Sequence, residues 1–379
     1  MNLYDGLLFF IVLAAVLVGA VILGLCEVRL KWYGLFATVA ILLCVFDSWQ
    51  SKACLAGFYI LELLCVQIYL QVREKCDKRP ILWLFLLISL APLTMVKLQP
   101  FVGALGFFRL VGVSYMTFRS VQVLIEIYDG LIKEVKIANF SYFLLFFPSV
   151  SSGPIDRYRR FVTDLERKPS RDKYAEMARR GIWKLMFGAL MNFGIGNFIY
   201  ANWLAVLPES GFAATISYMY GYTFFLFFNF AGYSLMAVGT AYILGIKMPD
   251  NFNLPFLSVD MKDFWSRWHI SLSTWLRDYV YTRFCAAALK GEWFKDRRTC
   301  SYIGYVITMM TMGVWHGLTP AYLIYGAYHG ALMCVNDLLD IRWKRFKKIK
   351  KSAVGQIVLV LITFHLFSFG LLIFSGRII

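Results

Sequence analysis

Charged residues are scarce in this chain: they make up 16% of its 379 residues, whereas apolar residues make up 59%. A soluble domain does not bury that much apolar surface, so the composition excludes a soluble protein and indicates a polytopic membrane protein. The net charge of +16 would also suit a nucleic-acid-binding protein. We favour a basic cytoplasmic membrane face instead, because the basic residues cluster in short segments between apolar runs. Such a face attracts anionic lipids and acidic partner proteins.

Several signatures of metal and nucleotide chemistry are missing. The eight cysteines include no C-x-x-C or other ligand-like spacing, so we expect neither a metal site nor a structural disulfide. The chain also has no Walker loop, no dinucleotide-binding fingerprint and no Gly-x-Ser-x-Gly elbow. The sequence therefore gives no support for nucleotide hydrolysis, dinucleotide-dependent chemistry or a serine nucleophile of the hydrolase type.

Apolar runs recur along the whole chain and predict an all-α polytopic membrane protein with roughly 10–11 transmembrane helices plus re-entrant and interfacial helices. We predict one integral domain over residues 1–379. Residues 140–150 are too few to span a bilayer and are interrupted at Pro148, which predicts a re-entrant hairpin. Four ionisable residues lie inside apolar runs, where they either line a polar cavity or, as we favour, pair within the bundle or snorkel to the membrane interface. They are Glu62, Arg109, Arg119 and Glu126.

Histidine is rare, and two of the four histidines lie in apolar surroundings. Around His269, aromatic and leucine residues recur at helical spacing, with polar residues on the other faces. The pattern predicts an amphipathic helix that lies at an interface or dips into the fold, capped by Asp260 or Asp263. By itself, this segment favours a structural histidine over a functional one. The residues of the stripe are Trp265, Trp268, Leu272, Trp275 and Tyr279.

His316 lies 47 positions further on, where Gly317 and Pro320 end an apolar helix. Burial favours the neutral imidazole, and a neutral, oriented imidazole can deprotonate a hydroxyl for acyl transfer. The alternative is a helix-terminal histidine that holds a loop, and the segment alone does not separate the two. We expect His329 to pack against this region and His365 to be structural.

The sequence around these two histidines resembles the membrane-bound O-acyltransferases. The resemblance rests on F-W-S-R-W-H-I-S-L-S-T-W-L-R-D-Y, on M-G-V-W-H-G and on the 47-residue spacing, and it covers roughly residues 140–337. It implies that the chain moves an acyl group from a thioester to a hydroxyl, with His316 as the catalytic histidine and His269 as the second active-site residue. We add Trp265, Trp268, Ser273 and Trp315 as substrate-binding residues. One departure is Asn229, where relatives often have Asp.

Residues 278–284 are more similar to the D-alanyl transfer (DltB-type) branch than to alginate-type acetyltransferases. The branch implies D-alanine as the acyl group, carried on the phosphopantetheine arm of a DltC-like acyl carrier protein on the cytoplasmic side. It implies no permanently bound cofactor, and a DltD-like protein and lipoteichoic acid on the outer side. The expected location is the cell membrane of a Gram-positive bacterium. Two alternatives stay open: a polysaccharide O-acetyltransferase of the same family and, less favoured, a transporter.

A short apolar run with small residues is flanked by cations just after the His269 segment. We predict that the acidic carrier docks there, because a shallow apolar surface with a cationic rim fits an acidic partner and its phosphate. The alternative is an interfacial helix packed on its neighbours. The residues assigned to docking are Arg283, Phe284, Cys285, Ala287, Leu289 and Lys290.

Overall fold

The computed structural model describes residues 3–76, 78–103 and 112–379, except for the side chain of Lys344. Helices dominate this part of the chain. It contains no β-strand, and its one isolated β-bridge pairs Phe252 with Trp268. The predicted all-α class is therefore confirmed.

The described helices follow one another as α1 (Gly6–Leu25), α2 (Lys31–Val45), α3 (Trp49–Lys75), α4 (Arg79–Leu98), α5 (Val113–Tyr128), α6 (Ile137–Leu145), α7 (Tyr158–Glu166), α8 (Arg171–Ala189), α9 (Asn197–Ile199), α10 (Phe212–Ile243), α11 (Met261–Arg267), α12 (Ile270–Leu276), α13 (Thr282–Lys290), α14 (Arg297–His316), α15 (Pro320–Arg342), α16 (Lys344–Ile349) and α17 (Ala353–Phe374). Short 3-10 turns cover Phe147–Ser149 and Pro255–Leu257, and π-helical segments cover Leu190–Gly196, Tyr200–Leu204 and Arg277–Tyr281.

Six of the described helices are long and apolar enough to cross a membrane. They are Gly6–Leu25, Trp49–Lys75, Arg79–Leu98, Arg171–Leu204, Phe212–Ile243 and Ala353–Phe374. Two shorter apolar helical stretches, Lys31–Val45 and Ile137–Ser149, accompany them. Helices α14 and α15, with 20 and 23 residues, are also long enough but have a more polar composition. The polytopic membrane character is confirmed.

The chain forms two compact units that interleave in sequence. The first contains residues 1–189 and 232–249, and the second contains residues 190–231 and 250–379. Helix α10 begins in the second unit and ends in the first. The prediction of a single integral domain over residues 1–379 stays a prediction.

In the first unit, a buried guanidinium meets the broken helical segment that the sequence indicated. Helix α6 ends at Leu145, and Arg119, 1% exposed, donates hydrogen bonds to the carbonyl oxygens of Phe143 and Leu144, both at 3.0 Å, and of Ser149 at 2.7 Å. These bonds satisfy carbonyl groups that the break leaves without helical partners. Whether the segment re-enters the bilayer stays a prediction.

The other ionisable residues in apolar runs are also paired inside the first unit. Glu62 accepts hydrogen bonds from Ser89 at 2.7 Å and Ser120 at 2.5 Å, and Glu126 forms an ion pair with Arg159 at 2.9 Å. The favoured interpretation, pairing within the bundle, is confirmed for these residues. Arg109 lies outside the described residues.

In the second unit, glycines bring α14 and α15 into close contact. A Cβ atom at Gly313 would lie 2.5 Å from the Tyr322 carbonyl oxygen, and one at Gly326 would lie 2.8 Å from the Met309 carbonyl oxygen. Only residues without a side chain permit this approach of two backbones. The contact holds the C-terminal part of α14, which ends at His316, against α15.

Candidate active site

The segment around His269 is not the single amphipathic helix that the sequence predicts. It forms two short helices, α11 and α12, with a break at Trp268 and His269. The predicted cap is present: the Asp260 side chain accepts a hydrogen bond from the Asp263 amide at 2.8 Å. The aromatic stripe is therefore divided between two helices, and His269 lies at their junction, outside the six candidate membrane spans.

The break arises because a distant stretch of backbone replaces the helical hydrogen bonds. The Ile270 amide donates to the Asn251 carbonyl at 2.9 Å, and the Asn253 amide donates to the Arg267 carbonyl at 2.9 Å. The Asn251 side chain also accepts from the Ser271 amide at 3.2 Å. Tertiary hydrogen bonding thus overrides the local helical pattern, which explains why periodicity alone mispredicted this segment.

His269 is held in a strained and buried position. Its backbone has φ 45° and ψ 51°, the left-handed region that non-glycine residues rarely adopt, and strain of this kind often accompanies functional sites. The residue is 4% exposed, and neither ring nitrogen has a hydrogen-bond partner among the described residues. Burial, with a smaller contribution from His316, lowers the pKa of the His269 imidazole to about 3. The ring is therefore neutral at physiological pH and has two uncommitted nitrogen atoms.

His316 is the last residue of α14, as the sequence predicts. Gly317 continues in extended backbone, and α15 begins at Pro320. The ring centroid of His316 lies 4.6 Å from that of Trp315 and 4.9 Å from that of Phe374. An imidazole at a helix end, half-buried among aromatic rings, has an orientation fixed by packing.

Both imidazoles line one small cavity of about 90 Å³ in the second unit. Trp315 links them, because its ring centroid lies 6.5 Å from His269 and 4.6 Å from His316. The two imidazole centroids are thus no further apart than the sum of these distances. The remaining lining is apolar and mostly aromatic: Leu226, Phe230, Trp265, Trp268, Leu272, Met312, Tyr325, Leu371 and Phe374.

A larger cavity of about 400 Å³ adjoins the small one. The two cavities share three lining residues, Trp265, Leu272 and Met312. Polar and charged groups also line the larger cavity, including Lys262 and Arg277. Its size falls in the range of small-molecule sites, and its polar groups suit an elongated ligand with polar functions.

The four residues predicted to bind substrate occupy different positions around these cavities. Trp265 lines both, Trp268 lines the small cavity and Ser273 lines the large one. Ser273 also donates a hydrogen bond to the Trp268 carbonyl at 3.1 Å. Trp315 contacts both imidazoles but is not among the residues that line either cavity. Their roles in binding stay predictions.

Three aromatic residues that line the small cavity are not among the residues predicted from the sequence. Phe230 lies 4.8 Å from His269 between ring centroids, and Phe374 and Tyr325 lie 4.9 and 6.2 Å from His316. Phe230 and Phe374 come from helices far away in sequence, so no local pattern pointed to them. Tyr325 precedes His329 by one helical turn, which offered a weak signal.

The other two histidines do not line either cavity. His329 is fully buried, with its ring centroid 4.5 Å from that of Tyr325 and 5.1 Å from that of Trp265. It therefore packs behind two residues of the small cavity, as the sequence predicts. His365 is exposed on α17, and its Nδ1 lies 2.6 Å from the Leu361 carbonyl oxygen.

The predicted docking segment forms α13, and only some of its side chains are exposed. Leu289 is 49% exposed and Lys290 is exposed, whereas Ala288 is 2% exposed and faces the protein. The remaining residues assigned to docking are half-buried: Arg283, Phe284, Cys285 and Ala287. The outer face of α13 thus combines an apolar residue with an adjacent cation, the character expected of the docking surface. Carrier binding there stays a prediction.

The model of the MBOAT, membrane-bound O-acyltransferase family matches residues 82–376. The chain is 41% identical to a teichoic acid D-alanyltransferase of Bacillus subtilis (strain 168), over 100% of this chain and 98% of that protein. It is 36% identical to a teichoic acid D-alanyltransferase of Lacticaseibacillus rhamnosus, over 92% of this chain and 89% of that protein. A probable alginate O-acetylase AlgI of Pseudomonas syringae pv. tomato is 32% identical over 68% of this chain and 48% of its own length.

Proposed function

The chain belongs to the membrane-bound O-acyltransferase family, and we propose that it moves D-alanine from a carrier-protein thioester to a hydroxyl acceptor in the D-alanylation of teichoic acid. The teichoic acid D-alanyltransferases of Bacillus subtilis and Lacticaseibacillus rhamnosus match 100% and 92% of the chain, at 41% and 36% identity. The alginate relative matches 68% of it at 32%. The observation that carries the mechanism is the small cavity lined by His269 and His316 beside a larger one.

The larger cavity suits the donor. A phosphopantetheine arm is long, with amide and hydroxyl groups along it and a phosphate at one end. The cavity has a volume of about 400 Å³, with hydroxyl groups at Ser273 and Thr274. Lys262 and Arg277 also line it, and they form ion pairs with Asp337 and Asp278. An arm that enters there brings its thioester to the shared wall at Trp265 and Met312, next to the histidines.

The small cavity suits a small acyl group that carries a positive charge. D-Alanine bound as a thioester has a free ammonium group, and no carboxylate is among the residues that line this cavity. The aromatic rings of the cavity can attract the ammonium group in place of a carboxylate, because ring faces attract cations through their quadrupole. An acetyl group has no ammonium and gains nothing from these rings beyond apolar contact.

We assign the general-base role to His316. Its neutral imidazole accepts the proton of the acceptor hydroxyl while the hydroxyl oxygen attacks the thioester carbonyl carbon. A tetrahedral intermediate forms, the carbon–sulfur bond breaks, and the departing thiolate takes the proton back from the imidazolium. The products are an ester and a free thiol, and His316 returns to its neutral form.

His269 is suited to stabilise the tetrahedral intermediate. A neutral imidazole has one N–H donor, and the nitrogens of His269 have no partner among the described residues. Such a donor can hold the carbonyl oxygen as it becomes an oxyanion, in a site with mostly apolar walls, where one hydrogen bond has a large effect on rate. The low pKa of His269 keeps the ring neutral and so avoids a second charge beside His316.

The partners follow from the same proposal. An acidic, DltC-like acyl carrier protein docks at α13 on the cytoplasmic side, and a DltD-like protein and lipoteichoic acid take up the D-alanyl group on the outer side. The protein is then an integral protein of a Gram-positive plasma membrane. The six candidate spans and the clusters of basic residues agree with this arrangement.

The decisive experiment supplies two donors to the purified full-length protein in lipid nanodiscs. One is carrier protein loaded with labelled D-alanine, and the other is the same carrier loaded with labelled acetate. We expect loss of label from the D-alanyl carrier when an acceptor is present, and much slower loss from the acetyl carrier. Faster transfer of acetate would contradict the proposal and favour a polysaccharide O-acetyltransferase.

A further inference from the structure

An open apolar groove of about 430 Å³ lies along the first half of α17. One wall consists of Leu257 and Val259, and the wall on α17 consists of four apolar residues and one polar residue: Ala353, Ile357, Val360, Leu361 and Gln356. Residues 353–361 cover about 12 Å of helix length. The groove lies on α17, one of the six helices that are long and apolar enough to cross a membrane.

A cluster of cations lies beside the groove in sequence and in space. Between α15 and α17, five basic side chains are exposed: Arg342, Arg345, Lys347, Lys348 and Lys351. Lys350, in the same segment, is already neutralised by ion pairs with Asp260 at 2.6 Å and Asp340 at 2.5 Å. Asp260 follows Val259 directly, so the cationic segment borders the end of the groove formed by Val259 and Ala353.

The same segment has the aromatic character of a membrane interface. Trp343 is 47% exposed, and its ring stacks on Phe346 with a centroid distance of 6.1 Å and an interplanar angle of 9°. Exposed tryptophan is typical of the level of the lipid headgroups. Basic residues at that level attract anionic lipids.

We propose that residues 342–351 and the groove on α17 together form a binding site for an anionic phospholipid of the cytoplasmic leaflet. The phosphate group lies against Lys347, Lys348 and Lys351, and one acyl chain lies in the groove. A soluble acidic protein would match the cations but not an apolar groove on a membrane span. A neutral lipid would match the groove but not the cations.

The test measures lipid retention by native mass spectrometry on the purified full-length protein, titrated with phosphatidylglycerol or phosphatidylcholine of the same acyl chains. We expect wild-type protein to prefer phosphatidylglycerol by about tenfold or more. The triple variant Lys347→Gln, Lys348→Gln, Lys351→Gln should lose this preference, and the corresponding triple Arg variant should keep it. A matched triple variant at other exposed basic positions, Lys295→Gln, Arg297→Gln, Arg298→Gln, should behave like wild type.

The groove is tested separately. Ile357→Trp fills it and should weaken retention of both lipids, whereas Ile362→Trp, on a groove-free part of α17 with similar exposure, should not. An unchanged preference in the triple Gln variant would overturn the headgroup site. Equal retention by the two Trp variants would overturn the acyl-chain site. Circular dichroism and melting temperature, together with the Arg variant, distinguish a lost site from a misfolded protein.

Discussion

A single methyl group at Gly313 tests whether the contact between α14 and α15 positions His316. Gly313 lies three residues before His316, and its Cα faces the backbone of α15. In Gly313→Ala, the new Cβ would lie 2.5 Å from the Tyr322 carbonyl oxygen and 3.2 Å from the Gly326 Cα. Both neighbours are backbone atoms, so no side-chain rotation relieves the overlap.

The expected loss of activity in Gly313→Ala follows from these distances. The Tyr322 carbonyl oxygen must retreat by about 0.9 Å to reach ordinary van der Waals contact at 3.4 Å. A displacement of about 1 Å in a catalytic group can cost about 10²-fold in rate. We therefore expect kcat to fall by about 10- to 100-fold, with carrier affinity nearly unchanged because α13 is not altered. Overpacking should also cost about 1–3 kcal/mol of stability.

Gly330→Ala is the matched control on the same helix pair. Its new Cβ would lie 3.2 Å from the Val306 Cα and more than 3.5 Å from the next atoms, so a shift of a few tenths of an ångström suffices. Val306 lies ten residues before His316, about 15 Å along the helix. We expect near-wild-type kcat for Gly330→Ala in the D-alanyl transfer assay. If folded Gly313→Ala and Gly330→Ala have kcat values within about twofold of each other, the contact does not position His316.

Three further predictions concern the proposed residues. His316→Ala should retain carrier binding but lose about 10²–10⁴-fold in single-turnover transfer rate, as general-base loss does; near-wild-type transfer would refute the role. His269 has a pKa of about 3 when folded and about 6.5 when unfolded, so the unfolded state binds more protons between these values, and stability falls as the pH drops through this window. His269→Gln should reduce the loss of stability between pH 7 and pH 5 by roughly 2 kcal/mol in chemical denaturation, and an unchanged pH dependence would contradict the burial argument. Leu289→Glu should weaken carrier binding at least about tenfold in a surface-based binding assay, whereas Ser210→Glu, in an exposed turn, should not; equal affinities would place docking elsewhere.

The end of α14 was predictable from sequence because its causes are local. Gly317 cannot continue the helix favourably, and Pro320 begins the next helix at the position that proline prefers. The apolar runs likewise predicted the membrane helices, since the bilayer requires long apolar segments whatever surrounds them. Both features depend on short stretches of chain and on no distant contact.

The junction at His269 was not predictable because its cause is distant in sequence. Asn251 lies about 20 residues earlier and takes the hydrogen bonds that a continuous helix would form. The same holds for the aromatic walls, which Phe230 and Phe374 complete from other helices. Periodicity identifies which residues share a helical face, but it does not identify where another segment competes for the backbone.

The sizes of the two cavities connect the structure to the choice of acyl group. The small cavity, about 90 Å³, suits a small acyl group, whereas the adjoining cavity, about 400 Å³, suits the longer arm of the donor. The size of the small cavity does not separate a D-alanyl group from an acetyl group. In the proposed site, the rings of Phe230, Trp268 and Tyr325 distinguish the two acyl groups, because they attract the ammonium group of D-alanine more than the methyl group of acetate. Under the proposed function, selection for D-alanine depends on aromatic side chains and requires no buried carboxylate, which would carry a large desolvation cost in an apolar cavity.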